Sequence, residues 1–130
     1  MNQNSVIDIL LVEDVELNVT VACALLNKLG HQVQVARDGT QALAMANPDD
    51  FDLILLDIQL PDMTGFDVAE QLLARYGDSL PPMVALTANA LREDRDACLA
   101  AGMDDYVSKP VDVRLLTQAI ERVRRPLSTA

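Results

Sequence analysis

This sequence predicts a single α/β domain built on an open, doubly wound sheet of five parallel strands, and three observations carry that prediction. Short apolar runs alternate with helically periodic stretches along the chain. The connections between them are short, which makes right-handed crossovers and sets helices on both faces of the sheet. Four of the runs also stop at residues suited to a charged ligand: Ile9-Leu10-Leu11-Val12 at Glu13-Asp14, Leu53-Ile54-Leu55-Leu56 at Asp57, Met83-Val84-Ala85-Leu86 at Thr87, and Tyr106-Val107-Ser108 at Lys109-Pro110. In an open α/β sheet those carboxyl ends share one edge, and ligands bind there.

The first strand is read at residues 7–12, mostly apolar as a strand buried on both faces should be. Helix one follows, with Asn18, Val21, Ala22, Leu25 and Leu29 on one face, and Gly30 suits the left-handed position that closes it. Strand two, Gln32–Ala36, alternates Val33 and Val35 with polar neighbours, the pattern of an edge strand. The Asp38-Gly39 turn opens a short helix through Ala42, Leu43 and Ala46, ended by Asn47-Pro48. Strand three, 53–56, is wholly apolar and therefore central. Beyond Pro61 and Gly65 a helix carries Phe66, Ala69, Leu72, Leu73 and Tyr76, with Thr64 and Asp67 as a capping pair. Pro81-Pro82 precede strand four, 83–86. Helix four covers 91–101 and ends at Gly102; strand five is 106–108. The last helix starts at Asp112, a good N-cap, and buries Leu116, Ala119, Ile120 and Val123. The domain is expected over 5–125, with 126–130 as a tail or linker.

Half of the 130 residues are apolar and only 3% aromatic, so Leu, Val, Ile and Ala must fill the core. A net charge of −10 argues against binding a nucleic-acid backbone. No run approaches the roughly 20 apolar residues of a membrane helix, and no basic-then-apolar leader opens the chain. Cys23 and Cys98 fall in different helices with no metal or redox spacing, which suggests buried, inert thiols in a reducing cytosol. His31, in a turn after Gly30, reads as a surface residue rather than a catalytic one.

The flavodoxin-like strand order 2-1-3-4-5 sets strands one and three side by side and brings Glu13-Asp14 next to Asp57. Asp57 is then a candidate nucleophile, since a carboxylate can accept a phosphoryl group covalently; alone, it would read as a turn or cap residue. Two unit charges 4 Å apart near a surface repel by roughly 4 kcal/mol, so three clustered carboxylates call for a counterion. Mg²⁺ suits them, because it prefers hard oxygen ligands and needs only one or two carboxylates. The plainer alternative is that Glu13 and Asp14 are solvated caps of helix one. Lys109 supplies a mobile positive charge and Thr87 a hydroxyl donor for phosphoryl oxygens. Phosphoryl transfer needs mainly positioning and charge stabilisation, so no histidine is required. Pro110 is a candidate cis peptide that would fix the aim of Lys109.

Leu11-Val12-Glu13-Asp14, Leu55-Leu56-Asp57-Ile58-Gln59-Leu60-Pro61-Asp62-Met63-Thr64-Gly65, Ala85-Leu86-Thr87-Ala88 and Gly102-Met103-Asp104-Asp105-Tyr106-Val107-Ser108-Lys109-Pro110 together resemble a two-component response-regulator receiver domain. The Leu-Thr-Ala-Asn-Ala and Ala-Gly-Met-Asp-Asp stretches are similar to receivers of hybrid sensor histidine kinases. The resemblance implies that Asp57 is the phosphoacceptor and that Asp14 and Asp57 bind Mg²⁺ (or Mn²⁺) directly. Glu13 would act through water, and the Gln59 carbonyl would complete the set. It implies that Thr87 and Lys109 bind the phosphoryl oxygens and that Thr87 and Tyr106 form a switch acting on the helix four, strand five, helix five surface. Gln59 and Asn89 would tune phosphoryl lifetime. Many receivers have Asp-Asp where this chain has Glu13-Asp14, and Phe where it has Tyr106; neither change removes a needed group.

The implied partners are a histidine kinase transmitter domain and a histidine-containing phosphotransfer domain, the latter docking on helix one around Asn18. Neither nucleic acid nor membrane contact is expected of this domain. The implied location is cytoplasmic, tethered to the inner membrane through a parent sensor kinase. No kinase segment or DNA-binding module is read within these residues, which would mediate only their own phosphotransfer and dephosphorylation. A stand-alone single-domain regulator is the alternative setting. An aspartate-nucleophile phosphatase is the alternative class; its usual second Asp two residues on is replaced here by Gln59. A flavin-binding flavodoxin lacks support, because no Ser/Thr/Gly-rich phosphate loop follows strand one.

Overall fold

The computed structural model describes residues 6–88, 92–109 and 111–123, with the side chains of 92–94 outside the description. Asn89, Leu91, Pro110 and the 126–130 tail therefore lie outside the described residues. The elements run β1 (Asp8–Val12), α1 (Glu16–Lys28), β2 (Gln32–Ala36), α2 (Gly39–Met45), β3 (Leu53–Asp57), α3 (Gly65–Tyr76), β4 (Met83–Thr87), α4 (Arg92–Ala100), β5 (Asp105–Ser108) and α5 (Val113–Val123). All strand pairs are parallel, in the order β2-β1-β3-β4-β5. The expected topology is the one observed, with β2 at an edge and β3 in the centre.

Strand alternation splits the core into two layers. Leu10, Val12, Ile54, Leu56, Met83 and Ala85 face α2, α3 and α4, where Ala42, Ala69, Leu72 and Cys98 receive them. Ile9, Leu11, Leu53, Leu55, Val84 and Leu86 face α1 and α5, against Leu26, Leu116 and Ile120. Burying each such Leu or Ile contributes about 2 kcal/mol, so the central strands carry most of the driving force.

The helix ends follow local chemistry. Thr64 and Asp67 form the expected capping box on α3, and the Asp112 carboxylate accepts the Arg114 and Leu115 N–H groups at the start of α5. Gly30 and Gly102 take φ of +93° and +95°, as residues closing α1 and α4 should.

Several expectations are corrected. The buried stripe of α1 is Val19, Ala22 and Leu26, while Val21 and Leu17 are exposed. Apolar residues occupy nearly every side of this helix, so periodicity could not fix its rotation; packing of Ala22 and Leu26 into the sheet's core layer did. His31 is half-buried, and its Nδ1 accepts the Ile7 N–H at 3.3 Å just before β1, a contact the sequence does not announce. Cys98 is buried as expected, but Cys23 is only half-buried. A single 3-10 turn at Gly77–Ser79, unanticipated, links α3 to β4.

At Gly65 the chain turns back beneath β3. A Cβ there would lie 2.5 Å from the Asp57 carbonyl oxygen and 2.6 Å from Ile58 Cα, both backbone atoms that cannot swing aside. Alanine would gain about 1 kcal/mol of helix propensity, which the clash outweighs. Gly65→Ala is therefore expected to destabilise the fold by about 2 kcal/mol net, measured by urea denaturation.

Candidate functional site

Register places the carboxyl ends of the inner strands together. Val12 pairs with Leu56, Asp57 with Leu86, and Thr87 with Ser108, so the residue following or ending each strand opens on one crevice. Backbone bonds fix the exits: Glu13 N–H donates to Ala36 (3.0 Å), Ile58 N–H to Leu86 (3.2 Å) and Lys109 N–H to the Thr87 carbonyl (2.7 Å).

One carboxylate oxygen each from Glu13, Asp14 and Asp57 lies within 4.8 Å of the others. Glu13 and Asp57 are buried, at 1% and 3% exposure, whereas Asp14 is exposed at the mouth. The Lys109 ammonium reaches in from the end of β5 and donates to Asp57 Oδ2 at 2.7 Å and to Glu13 Oε1 at 3.0 Å. The other oxygens are held too. Asp57 Oδ1 accepts the Gln59 N–H at 2.9 Å, and Glu13 Oε2 accepts the Val15 N–H at 3.2 Å and the Asn18 amide at 3.5 Å.

Burial pushes the Asp57 carboxyl up to about 6; the Lys109 and Gln59 hydrogen bonds oppose that rise, and the Glu13 charge adds to it. Burial alone would lower the Lys109 pKa, but its hydrogen bonds to Asp57 and Glu13 outweigh that and raise it. Three acids against one ammonium leave an excess of negative charge. Hard oxygen donors this close, with one of them facing solvent, are a donor set that fits a small divalent cation.

Thr87 is buried at the end of β4, and its backbone is bonded to that of Lys109. Tyr106 is not part of the acidic cluster. It is half-buried against the α4-side core layer, where its register partner Ala85 also lies. Strand alternation puts Thr87 on that same face of the sheet. Beyond Tyr106, a groove of about 320 Å³ runs between β5 and α5, past Leu115 and Gln118, beside an Arg122–Asp105 ion pair of 2.6 Å. The Gln59 side chain is exposed, and its backbone N–H is what touches Asp57. The proposed roles of Asn89 and Pro110 lie outside the described residues.

A second concavity, about 150 Å³, adjoins the cluster on the α1 side, lined by Glu13, Leu17, Asn18, Val21 and Lys109. Leu17 is 70% exposed and Val15 and Val21 flank it, a small apolar ridge at the rim. The sequence reading picked Asn18 for this face but had turned Val21 inward. Reading also missed Asp62, which binds the start of α2 across 23 residues of sequence; no local pattern announces such a contact.

A chain with this sheet order, and with acids and a lysine meeting at its carboxyl edge, has the architecture of a phosphoryl-accepting signalling domain. The profile of the response regulator receiver domain family matches residues 9–121, and the chain belongs to that family. It is 55% identical over 117 residues to the aerobic respiration control sensor protein ArcB of Escherichia coli strain K12. That match covers 89% of this chain and 15% of ArcB, so the chain spans a small part of such a relative. The crystal structure of the receiver domain of sensor histidine kinase PA1611 from Pseudomonas aeruginosa PAO1, with a magnesium ion in its active site cleft, is similar at TM-score 0.79 and 40% identity, covering 92% of this chain and 98% of that one. A chain in the co-crystal structure of the Saccharomyces cerevisiae phosphotransfer protein Ypd1 with the receiver domain of Ssk1 is similar at TM-score 0.82 and 28% identity, covering 91% of this chain and 88% of that one. The chain is thus a receiver domain homologous to those of hybrid histidine kinases. No helix among the described residues is long and apolar enough to cross a membrane.

Between the ordinary carboxyl value of 3.8 and about 6, folded protein holds on Asp57 a proton that the unfolded chain has released, so stability falls as pH rises through that window. With a chelator present at about pH 7, Asp57→Asn is expected to stabilise the fold by on the order of 1 kcal/mol, after screening by water at the mouth. The variant should also flatten the pH dependence, as read by denaturation across pH; a less stable variant at neutral pH contradicts this.

Proposed function

We propose that Asp57 accepts a phosphoryl group from a phosphohistidine of a partner, and that the chain serves as the receiver of a hybrid sensor histidine kinase in a phosphorelay. The observation that carries this reading is the Lys109–Asp57 pair of 2.7 Å inside the acidic cluster. In the reaction, an Asp57 oxygen bonds to phosphorus as the phosphorus–nitrogen bond breaks, and the imidazole leaves with that bonding pair. Lys109 and Gln59 hold the carboxylate in orientation beforehand, and burial keeps bulk water away from it. Lys109 then stays with the phosphoryl oxygens, and Thr87 donates its hydroxyl to them.

Asp14 and Asp57 would hold Mg²⁺ directly, Glu13 through water, and the Gln59 carbonyl would supply a further oxygen. The bound ion offsets the charge that the acids and the phosphoryl group bring together. Mn²⁺, which also takes carboxylate and carbonyl oxygens, would fit the same donors. Gln59, which follows Asp57 by two residues, would together with Asn89 limit the approach of hydrolytic water. The added phosphoryl charge would draw Thr87 toward it and open space on the sheet face that Thr87 shares with Tyr106. The tyrosine would then turn inward and change the β5–α5 groove, a population shift driven by contacts to the phosphoryl group.

The donor would be a histidine kinase transmitter domain or a histidine-containing phosphotransfer domain. Its support is the exposed Leu17 ridge beside a groove that ends at Lys109 and Glu13, which suits a helical partner. The co-crystallised Ypd1 and Ssk1 receiver give this pairing a precedent among similar structures. The domain would work at the cytoplasmic side, tethered through its parent kinase.

Incubation with acetyl phosphate and Mg²⁺ should add one phosphoryl group to intact mass, and Asp57→Asn should add none. Lys109→Ala should slow uptake by roughly 10²-fold, the scale of losing one charged stabiliser of the transferring group. With a phosphorylated phosphotransfer domain as donor, Leu17→Asp should lower transfer about tenfold more than it lowers uptake from acetyl phosphate. Equal losses with both donors would reject the α1 ridge as the docking face.

A further inference from the structure

We propose that Asp62 is a positioning residue for this site: from the tip of the β3–α3 loop it clasps the start of α2, and so fixes the loop that orients Asp57. The loop is pinned at both ends. At its base, Gln59 and Thr64 form an isolated antiparallel bridge, and the Gly65 N–H donates to the Ile58 carbonyl at 2.9 Å. At its tip, Asp62 Oδ1 accepts the Gly39 N–H at 2.8 Å, and Oδ2 accepts both the Thr40 N–H at 3.0 Å and the Thr40 hydroxyl at 2.7 Å. At the same base, the Gln59 N–H reaches Asp57 Oδ1 at 2.9 Å. A continuous path of short bonds therefore runs from the start of α2 to the carboxylate itself.

Ordinary helix capping does not account for this. The first N–H groups of α2 lack intrahelical partners, and Asp38 already supplies the local cap by accepting the Gln41 N–H at 2.7 Å. Asp62 takes those of Gly39 and Thr40 from a distant loop and adds a side-chain bond that a cap does not need. Its carboxyl is held below the usual range by the Thr40 hydroxyl and the Gly39 N–H, although it lies on the surface. Packing locks the same joint: a Cβ on Gly39 would sit 2.4 Å from Met63 Cγ, so the loop and the helix start are in close contact. Groups that orient a site's own ligands from behind matter about tenfold or more when removed.

The inference rests on the phosphoacceptor reading of Asp57, and the test separates the two. Asp62→Ala is compared with Asp38→Ala, which weakens the same helix end without touching the loop. In cation-free protein, Asp62→Ala should speed amide hydrogen exchange at Gln59 and Gly65; Asp38→Ala should leave both near the parent rate. With Mg²⁺ and acetyl phosphate, Asp62→Ala should take up phosphoryl roughly tenfold more slowly, and Asp38→Ala at the parent rate. Thr40→Val, which keeps the carboxylate and removes one of its three bonds, should shift both readouts in the same direction by less, and serves if Asp62→Ala does not fold. Parent-like exchange and uptake in Asp62→Ala, or an Asp38→Ala variant that reproduces its effects, overturns the proposal. Failure of the parent to take up phosphoryl would strike the reading of Asp57, while the exchange data would still decide the clasp.

Discussion

A buried carboxylate costs free energy unless something positive faces it, and here a single ammonium faces two of them. Lys109 bridges Asp57 and Glu13 at hydrogen-bonding distance, with Asp14 close by and uncompensated among the described residues. Burial pushes the Asp57 carboxyl up to about 6 against the pull of the Lys109 and Gln59 hydrogen bonds, and the Glu13 charge adds to that rise. The residual negative charge favours a cation in the crevice, and it makes any change of charge there felt by everything packed around it. Much of the architecture serves to hold this imbalance in place.

The parallel sheet does so by geometry. Each inner strand ends within one residue of the next along the same edge, and backbone bonds at Glu13, Ile58 and Lys109 fix the direction in which each chain leaves. Two apolar layers clamp the sheet from both sides, and the buried strand residues leave it little freedom to shift register. Glycine at position 65 lets α3 pass against the β3 backbone, and the loop between them closes tightly beside Asp57. The acidic cluster is thus built on rigid elements, with one mobile-stemmed lysine reaching across it.

Around this centre, the surfaces differ in character. The α1 side presents an apolar ridge at the rim of a groove that touches Lys109. The β5–α5 side presents a more polar groove with Tyr106 at its wall and the Arg122–Asp105 pair across it. On the proposed reading, a donor reaching Asp57 and a responder sensing its state would meet different faces of one small domain. The chain belongs to the receiver domain family and covers only a small part of a relative such as ArcB.

Strand and helix order, the central place of β3, the Thr64–Asp67 box and the meeting of Glu13, Asp14, Asp57, Thr87 and Lys109 at one edge were legible in the linear sequence. Each depends on local periodicity, on short-range capping or on the fixed handedness of parallel crossovers, all of which sequence encodes directly. The rotation of α1 was not legible, because Leu17, Val19, Val21 and Leu25 give it apolar residues on every side. The half-burial of His31 and Cys23 was equally hidden. Nor was the Asp62 clasp on Gly39 and Thr40, since an acid after a proline reads as an ordinary turn. Those features arise where two elements distant in sequence press together, and only the packed tertiary structure selects which of several equally plausible contacts is made.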